Sequence, residues 1–208
     1  MDLSFPLATI APTLDAGVLQ VLAATTAGCS AAEVHRRLGR GSDEGVRKVL
    51  ARLVEQGVVL AQTPARYPVY HLNRDHLAAP HIEGLCRLRA ELFDRLRSEV
   101  SSWAVEPTHA GLFGSLARGT ANSTSDIDVL LVRPKKLTAA QEGVWLEQID
   151  RLDRHIQAWT GNAAQIIDLT PATLDSMVGK ADPLVDSWRT DEIPLFGERI
   201  LDLLRRTL

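Results

Sequence analysis

The chain has 208 residues, of which 45% are hydrophobic and 24% are charged, so it can form one large or two small globular domains and is not a disordered or fibrous protein. No apolar run reaches the roughly 18 residues that a membrane span needs, and residues 1–13 lack the basic and then apolar order of a signal peptide. We therefore expect a cytoplasmic protein with no membrane partner. The net charge of -3 arises in the second half, where residues 106–208 carry 15 acidic and 11 basic side chains.

The first signals along the chain are those of short helices. Residues 14–24 are apolar with helical spacing, and Ser30 and Glu33 have the spacing of a capping box at the start of a second helix. A turn at residues 39–42 precedes a third helix, whose apolar stripe ends near Gly57. Two short helices joined by a tight glycine turn are typical of a helix-turn-helix, although an ordinary helical hairpin has the same pattern.

Two short apolar segments follow, at residues 58–60 and 68–72, and the polar segment between them predicts a β-hairpin. Three helices and a hairpin predict a winged helix-turn-helix domain over residues 10–78. Basic residues on the third helix and in the turn before it are typical of contacts with the phosphates of double-stranded DNA. The predicted DNA-binding residues are Arg40, Arg47, Lys48 and Arg52. Asp43 and Glu44, at the start of the same helix, would repel phosphate.

Residues 79–106 carry an apolar stripe with three- and four-residue steps, which predicts one linking helix of about six turns. The stripe consists of Ile82, Leu85, Leu88, Leu92, Leu96, Val100 and Trp103. Both an intramolecular core and the seam of a homodimer fit it, and the sequence leaves both open.

Strands and helices alternate over residues 107–208. Apolar strands are predicted at 110–113, 126–132 and 164–169, with a long amphipathic helix between the second and the third. This order predicts a short mixed sheet flanked by helices. The fold class is therefore an α+β or α/β protein of two domains.

Two carboxylates in the second predicted strand carry most of the chemical information. Side chains on a strand alternate between its faces, so Asp126 and Asp128 should lie on one face, about 6.5 Å apart. Two such charges repel each other unless a cation lies between them. Mg²⁺ commonly takes one or two protein carboxylates together with the phosphates of a substrate.

Phosphates could be held by the turn that follows the first strand. Gly114 lets backbone amides approach an anion closely, Ser115 adds a hydroxyl donor, and Arg118 can either neutralise a phosphate or pair with an acidic neighbour. A third carboxylate, Asp168, lies in the last predicted strand. If that strand is adjacent, we expect Asp168 on the metal face, where three acids could hold two metals.

These residues resemble a known family. Gly114-Ser115, ten residues and then Asp126-x-Asp128 is similar to the signature of the DNA polymerase β-like nucleotidyltransferases, and the wider pattern resembles their minimal nucleotidyltransferase group. The resemblance covers roughly residues 108–205, and the preceding part resembles the winged helix often fused to such domains. It implies that Gly114 and Ser115 hold a nucleoside triphosphate, that Asp126 and Asp128 bind Mg²⁺, and that Asp168 is the third metal-binding carboxylate.

Two functions follow as hypotheses. The first is an Mg²⁺-dependent enzyme that transfers a nucleoside monophosphate from a nucleoside triphosphate, with ATP as the expected donor, to a hydroxyl of a protein, an RNA or a small molecule. The second is a DNA-binding transcriptional regulator or antitoxin whose α/β domain senses nucleotide or binds a partner. The resemblance implies a HEPN-type toxin as one such partner.

Overall fold

The computed structural model describes residues 1–64 and 66–206, which form two compact units. The N-terminal unit comprises Ser4–Arg89 with Asp2, and the C-terminal unit comprises the chain from Ala90 onward with Met1 and Leu3. The main division of the chain therefore lies between Arg89 and Ala90, within the segment 79–106 that the sequence assigns to a linking helix. Within the described residues, no helix has both the length and the apolar character needed to cross a bilayer.

The described residues of the N-terminal unit form four α-helices and one hairpin. After a 3₁₀ helix at Pro6–Thr9, its elements are α1 (Leu14–Ala23), α2 (Ala31–Leu38), α3 (Asp43–Glu55), β1 (Val59–Gln62), β2 (Val69–Leu72) and α4 (Ala79–Cys86). The Ser30 hydroxyl accepts a hydrogen bond from the Glu33 amide at 3.2 Å, as the capping-box spacing predicts. Gly39, with a φ of +66°, ends α2 in the left-handed conformation that glycine favours.

The core of this unit forms where α1, α2 and α3 pack their apolar faces together. Its fully buried side chains include Val18, Leu22, Val34, Val46 and Leu50. The strands β1 and β2 pair antiparallel, with Val59 opposite Leu72, and both of these residues join the core. The predicted helices and hairpin are therefore present in the order that the sequence indicates.

The prediction of a single linking helix over residues 79–106 is wrong. The segment forms two helices, α4 and α5 (Leu88–Ser101), separated at Arg87. Its apolar residues serve two different cores, because Ile82 packs in the N-terminal unit while Leu92 and Leu96 pack in the C-terminal unit. Burial within the chain's own cores accounts for these stripe residues without a dimer seam.

The described residues of the C-terminal unit form a four-stranded mixed sheet, in which three strands lie where the sequence predicts strands and the fourth, at Ile193–Gly197, was not predicted. After α5 its elements are β3 (His109–Phe113), α6 (Gly114–Arg118), β4 (Ile127–Val132), α7 (Ala139–Thr160), β5 (Ala164–Leu169), α8 (Pro171–Gly179), α9 (Pro183–Asp191), β6 (Ile193–Gly197) and α10 (Ile200–Arg206). The strand order is β5-β4-β3-β6, with β4 and β5 parallel and the other pairs antiparallel.

Alternating side chains give this sheet two apolar faces. We call the face that packs against α5 and α7 the first face; it includes Leu112, Val129 and Leu131. The second face packs against α8, α9 and α10, and it includes Phe113 and Leu130. A side chain's position along a strand therefore decides which layer of helices it meets.

Candidate active site

The turn between β3 and α6 lies directly beneath a carboxylate of β4. Phe113 and Asp128 are cross-strand partners, so the next residue, Gly114, comes close to the Asp128 side chain. A Cβ atom at Gly114 would lie 2.1 Å from Asp128 Oδ2. The backbone φ of Gly114 is +71°, a value that residues other than glycine rarely adopt. Glycine is thus required here both for its backbone conformation and for the space that the Asp128 carboxylate takes.

Asp126 and Asp128 lie together at the start of β4, as their spacing predicts. Asp126 is exposed and Asp128 is half-buried. Burial raises the pKa of Asp128 above its usual value, the negative charge of Asp126 raises it further, and the positive charge of Arg118 lowers it. The two carboxylates therefore repel each other, and a cation between them would relieve that repulsion.

Arg118 lies at the end of α6 and pairs with an acidic neighbour, one of the two alternatives that the sequence left open. Its Nη1 atom donates to Asp191 Oδ2 at 2.6 Å, while 47% of its side chain remains exposed. Since its charge also lowers the pKa of Asp128, Arg118 lies within electrostatic range of that carboxylate. Asp191, at the end of α9, is a residue of this site that sequence reasoning missed, because 73 positions separate it from Arg118.

The expectation that Asp168 shares the metal face is wrong. Asp168 is the register partner of Leu131, which packs on the first face of the sheet, whereas Asp128 pairs with Phe113 on the second face. The carboxylate of Asp168 accepts hydrogen bonds from Arg133 Nε, at 2.8 and 3.0 Å, and from Trp145 Nε1, at 3.2 Å. Asp168 is therefore part of a structural ion pair.

Of the three carboxylates predicted to bind metal, Asp126 and Asp128 lie at this site and Asp168 does not. Among residues 1–64 and 66–206, no group of three or more His, Cys, Asp or Glu side chains is arranged to hold a metal ion. Ser115, the other residue of the predicted phosphate turn, is half-buried at the start of α6 and follows Gly114 directly. The structure thus brings together Gly114, Ser115, Arg118, Asp126 and Asp128 and separates Asp168 from them.

The four predicted DNA-binding residues lie in the N-terminal unit, and each has a partner there. Arg47 pairs with Asp43 at 2.7 Å and Lys48 with Glu44 at 2.7 Å, so the acidic residues at the start of α3 neutralise basic residues of the same helix. Arg52 pairs with Asp15 of α1. Finally, the guanidinium of Arg40 lies 4.7 Å from the centre of the Phe5 ring.

A comparison with known families found one similarity in the C-terminal unit. Residues 91–170 match the family model described as nucleotidyltransferase domain. This segment is therefore similar to a nucleotidyltransferase domain. The matched segment contains the turn at Gly114 and the carboxylates of Asp126 and Asp128. No curated protein matches the chain.

Solved structures similar to part of the chain include three toxin–antitoxin crystal structures. A mutant of the toxin–antitoxin MntA–HpeT is 14% identical, with a TM-score of 0.37, over 55% of this chain and 82% of that chain. A toxin–antitoxin with AMP-PNP is 15% identical, with a TM-score of 0.37 and the same coverages. A second MntA–HpeT mutant is 16% identical, with a TM-score of 0.35, over 55% and 80%. At these values the likeness does not bear on the function of this chain.

Proposed function

We propose that the protein is an Mg²⁺-dependent, cytoplasmic nucleotidyltransferase that moves a nucleoside monophosphate from a nucleoside triphosphate, with ATP as the expected donor, to a hydroxyl group and releases pyrophosphate. The observation that carries this proposal is the position of the Asp128 carboxylate. It lies over the backbone of Gly114 and beside Asp126, within the segment that matches the nucleotidyltransferase family. One small region thus combines a place for phosphates with a place for a cation.

The residues present fit a divalent cation of the Mg²⁺ type. The negative charge of Asp126 raises the pKa of Asp128 when no cation is bound, and oxygen atoms are the ligands that Mg²⁺ prefers. Asp126 and Asp128 would hold the cation. When bound, the cation would neutralise negative charge on the triphosphate. No other metal ligand is assigned, since Asp168 lies on the opposite face of the sheet.

The chain's own donors would bind the rest of the triphosphate. The Gly114 amide and the Ser115 hydroxyl can donate hydrogen bonds to phosphate oxygens, because no side chain at residue 114 obstructs the approach. Arg118 keeps almost half of its side chain exposed beside Asp128, so its guanidinium can reach a phosphate while Asp191 orients it. These contacts would fix the phosphorus atom for attack by the acceptor hydroxyl.

A double substitution tests the proposal. Asp126→Asn with Asp128→Asn should abolish pyrophosphate release and should remove the rise in melting temperature that Mg²⁺ and ATP produce together. The matched control is Asp150→Asn with Asp153→Asn, which removes two exposed carboxylates of α7 and should change neither readout. Unaltered stabilisation by Mg²⁺ and ATP in the Asp126/Asp128 variant would show that the cation binds elsewhere.

The acceptor hydroxyl is a separate question. A protein, an RNA end and a small molecule all remain candidates, and a HEPN-type toxin encoded beside this chain would be a protein acceptor. Incubation with radiolabelled ATP and the product of the neighbouring reading frame tests the toxin directly. Transfer of label to that protein, and its loss in the Asp126/Asp128 variant, would support a toxin–antitoxin function.

A second candidate function, DNA binding, is favoured by the N-terminal unit. We propose that α1–α3 and the β1–β2 hairpin form a winged helix, because the hairpin follows α3 directly and shares its core. On α3, the side chains of Arg47 and Lys48 are 62% and 76% exposed despite their ion pairs. Such exposed pairs contribute little stability, so phosphates can replace the carboxylates.

This candidate predicts salt-dependent binding to a duplex from the upstream region of the protein's own gene. Each neutralised phosphate should contribute about -0.9 to the slope of log K against log salt concentration. Arg47→Ala with Arg52→Ala should weaken binding and flatten that slope, whereas Arg97→Ala with Arg205→Ala, in the C-terminal unit, should do neither. If fluorescence anisotropy shows no binding to the duplex at low salt, the unit does not bind this DNA.

A further inference from the structure

The residue beside Asp128 on the neighbouring strand is an amide, Gln165. The strands β4 and β5 are parallel, and Asp128 and Gln165 are register partners. Partners in adjacent strands are about 4.8 Å apart, and their side chains project from the same face of the sheet. Gln165 is exposed, and Asp128 is half-buried beside it, so the amide group stands at the rim of the candidate active site.

Neither of the next residues of β5 supplies a carboxylate on that face. Ile167, two residues after Gln165, lies on the same face and packs against the apolar cluster beneath α8, α9 and α10. Asp168 lies on the other face, where Arg133 and Trp145 hold its carboxylate. The side of the site that faces β5 is therefore polar but uncharged.

We propose that Gln165 is the third side chain of the active site and that its neutrality limits the site to one divalent cation per bound nucleotide. The inference rests on the proposed function. Asp126 and Asp128, together with the triphosphate, supply charged oxygen ligands for one divalent cation. A second cation on the side of β5 would find an amide oxygen there in place of a carboxylate, and it would lack the charge that draws divalent cations to protein sites.

Counting bound Mn²⁺ tests this limit without measuring turnover. Mn²⁺ replaces Mg²⁺, α,β-methylene-ATP replaces ATP because its bridging carbon blocks transfer, and electron paramagnetic resonance gives the number of bound ions per protein–nucleotide complex. We expect one Mn²⁺ in the wild type and two in Gln165→Asp. Gln165→Glu is a second variant with the same added charge on a longer side chain.

Three further variants identify where the ions bind. Asp126→Asn should lose the single Mn²⁺ of the wild type, which would place the counted ion at this site. Gln157→Glu adds the same charge on an exposed position of α7 and should leave the count at one. Gln165→Ala should also leave the count at one, because the inference assigns no charge to this residue.

A second readout is the melting temperature without nucleotide. An added carboxylate beside Asp128 increases charge repulsion, so Gln165→Asp should melt below the wild type, and Mn²⁺ should raise its melting temperature by more than it raises that of the wild type. Two Mn²⁺ ions in the wild-type complex, or a single ion in both Gln165→Asp and Gln165→Glu, would overturn the inference and leave the proposed function intact. A complete lack of Mn²⁺-nucleotide binding in the wild type would overturn both.

Discussion

The Nε2 atom of His109 lies 3.4 Å from the Oε1 atom of Glu192, and both side chains are buried in the C-terminal unit. His109 Nδ1 lies 2.7 Å from the carbonyl oxygen of Glu198, which assigns the ring proton to Nδ1 and leaves Nε2 as an acceptor. Room for this pair comes from Gly111, where a Cβ atom would lie 2.2 Å from Glu192 Oε1. A protonated Glu192 can therefore donate to a neutral His109.

Titration of the buried Glu192 should lower this residue's contribution to stability as the pH rises. Burial raises the pKa of Glu192 from 4.5 to about 7, partly offset by the charge of Arg199, and burial also keeps His109 neutral by lowering its pKa. Between pH 4.5 and 7 the folded protein binds more protons at Glu192 than the unfolded chain does, so this group costs stability as the pH increases. At about 1.4 kcal/mol per pH unit, the loss by pH 8 is roughly 3 kcal/mol.

The variant Glu192→Gln isolates this effect, because a neutral amide can still donate to His109. We expect the variant and the wild type to have similar free energies of unfolding near pH 4.5, and the variant to be the more stable at pH 8. Urea unfolding at several pH values measures the difference. A constant difference across this range would show that Glu192 is ionised throughout.

Local patterns predicted that Gly114 lies close to Asp128, whereas the strand register could not be predicted from them. The turn at Gly114 and the strand with Asp128 are separated by only about ten residues, so their closeness can be predicted from the sequence spacing. The face of Asp168 depends instead on which residue of β5 pairs with Asp128, and a shift of one residue moves a side chain to the other face. The pairing of Asp128 with Gln165 settles the register, and neither sequence segment contains that information alone.

The break between α4 and α5 had no local signal either. The apolar spacing continues through Arg87, and no proline interrupts it. The two helices differ in the core against which they pack, since Ile82 of α4 and Leu92 of α5 belong to different apolar clusters. Only the tertiary contacts distinguish one long amphipathic helix from two shorter ones.

Replacing Gly114 should lower the affinity for nucleotide in addition to lowering the stability of the fold. Gly114→Ala places a methyl group 2.1 Å from Asp128 Oδ2 and forces alanine into a left-handed conformation, which alone costs about 1 to 2 kcal/mol. Gly161→Ala is a matched control, because Gly161 has a φ of +72° and open space around its Cβ position. We expect both variants to lose stability and Gly114→Ala alone to lose affinity for Mg²⁺ and α,β-methylene-ATP in calorimetry. Equal nucleotide affinities would contradict the close approach.

Removing the charge of Asp168 should affect stability rather than nucleotide binding. Asp168→Asn weakens charged hydrogen bonds from Arg133, a loss of about 1.5 to 3 kcal/mol, while its amide oxygen can still accept from Trp145. Thermal melting should therefore shift downward, and the Kd for Mn²⁺ and α,β-methylene-ATP should stay within about twofold. A loss of Mn²⁺ binding as complete as that in Asp128→Asn would place Asp168 among the metal ligands after all.

The charge of Arg118 should set the pH above which the site binds its cation. Burial and the charge of Asp126 raise the pKa of Asp128, and Arg118 opposes both effects. Arg118→Gln should therefore raise that pKa further, so that Asp128 stays protonated to a higher pH and Mn²⁺ binding begins at a higher pH than in the wild type. Asp191→Asn is the matched control, because the Arg118 guanidinium keeps its charge and loses its charged partner. We expect Mn²⁺ binding by this variant to begin at or below the pH at which it begins in the wild type. Its nucleotide affinity should fall, because Arg118 is no longer oriented. Titration of Mn²⁺ binding between pH 4 and 8 compares the three proteins, and an identical onset in Arg118→Gln and the wild type would show that Arg118 does not act on Asp128.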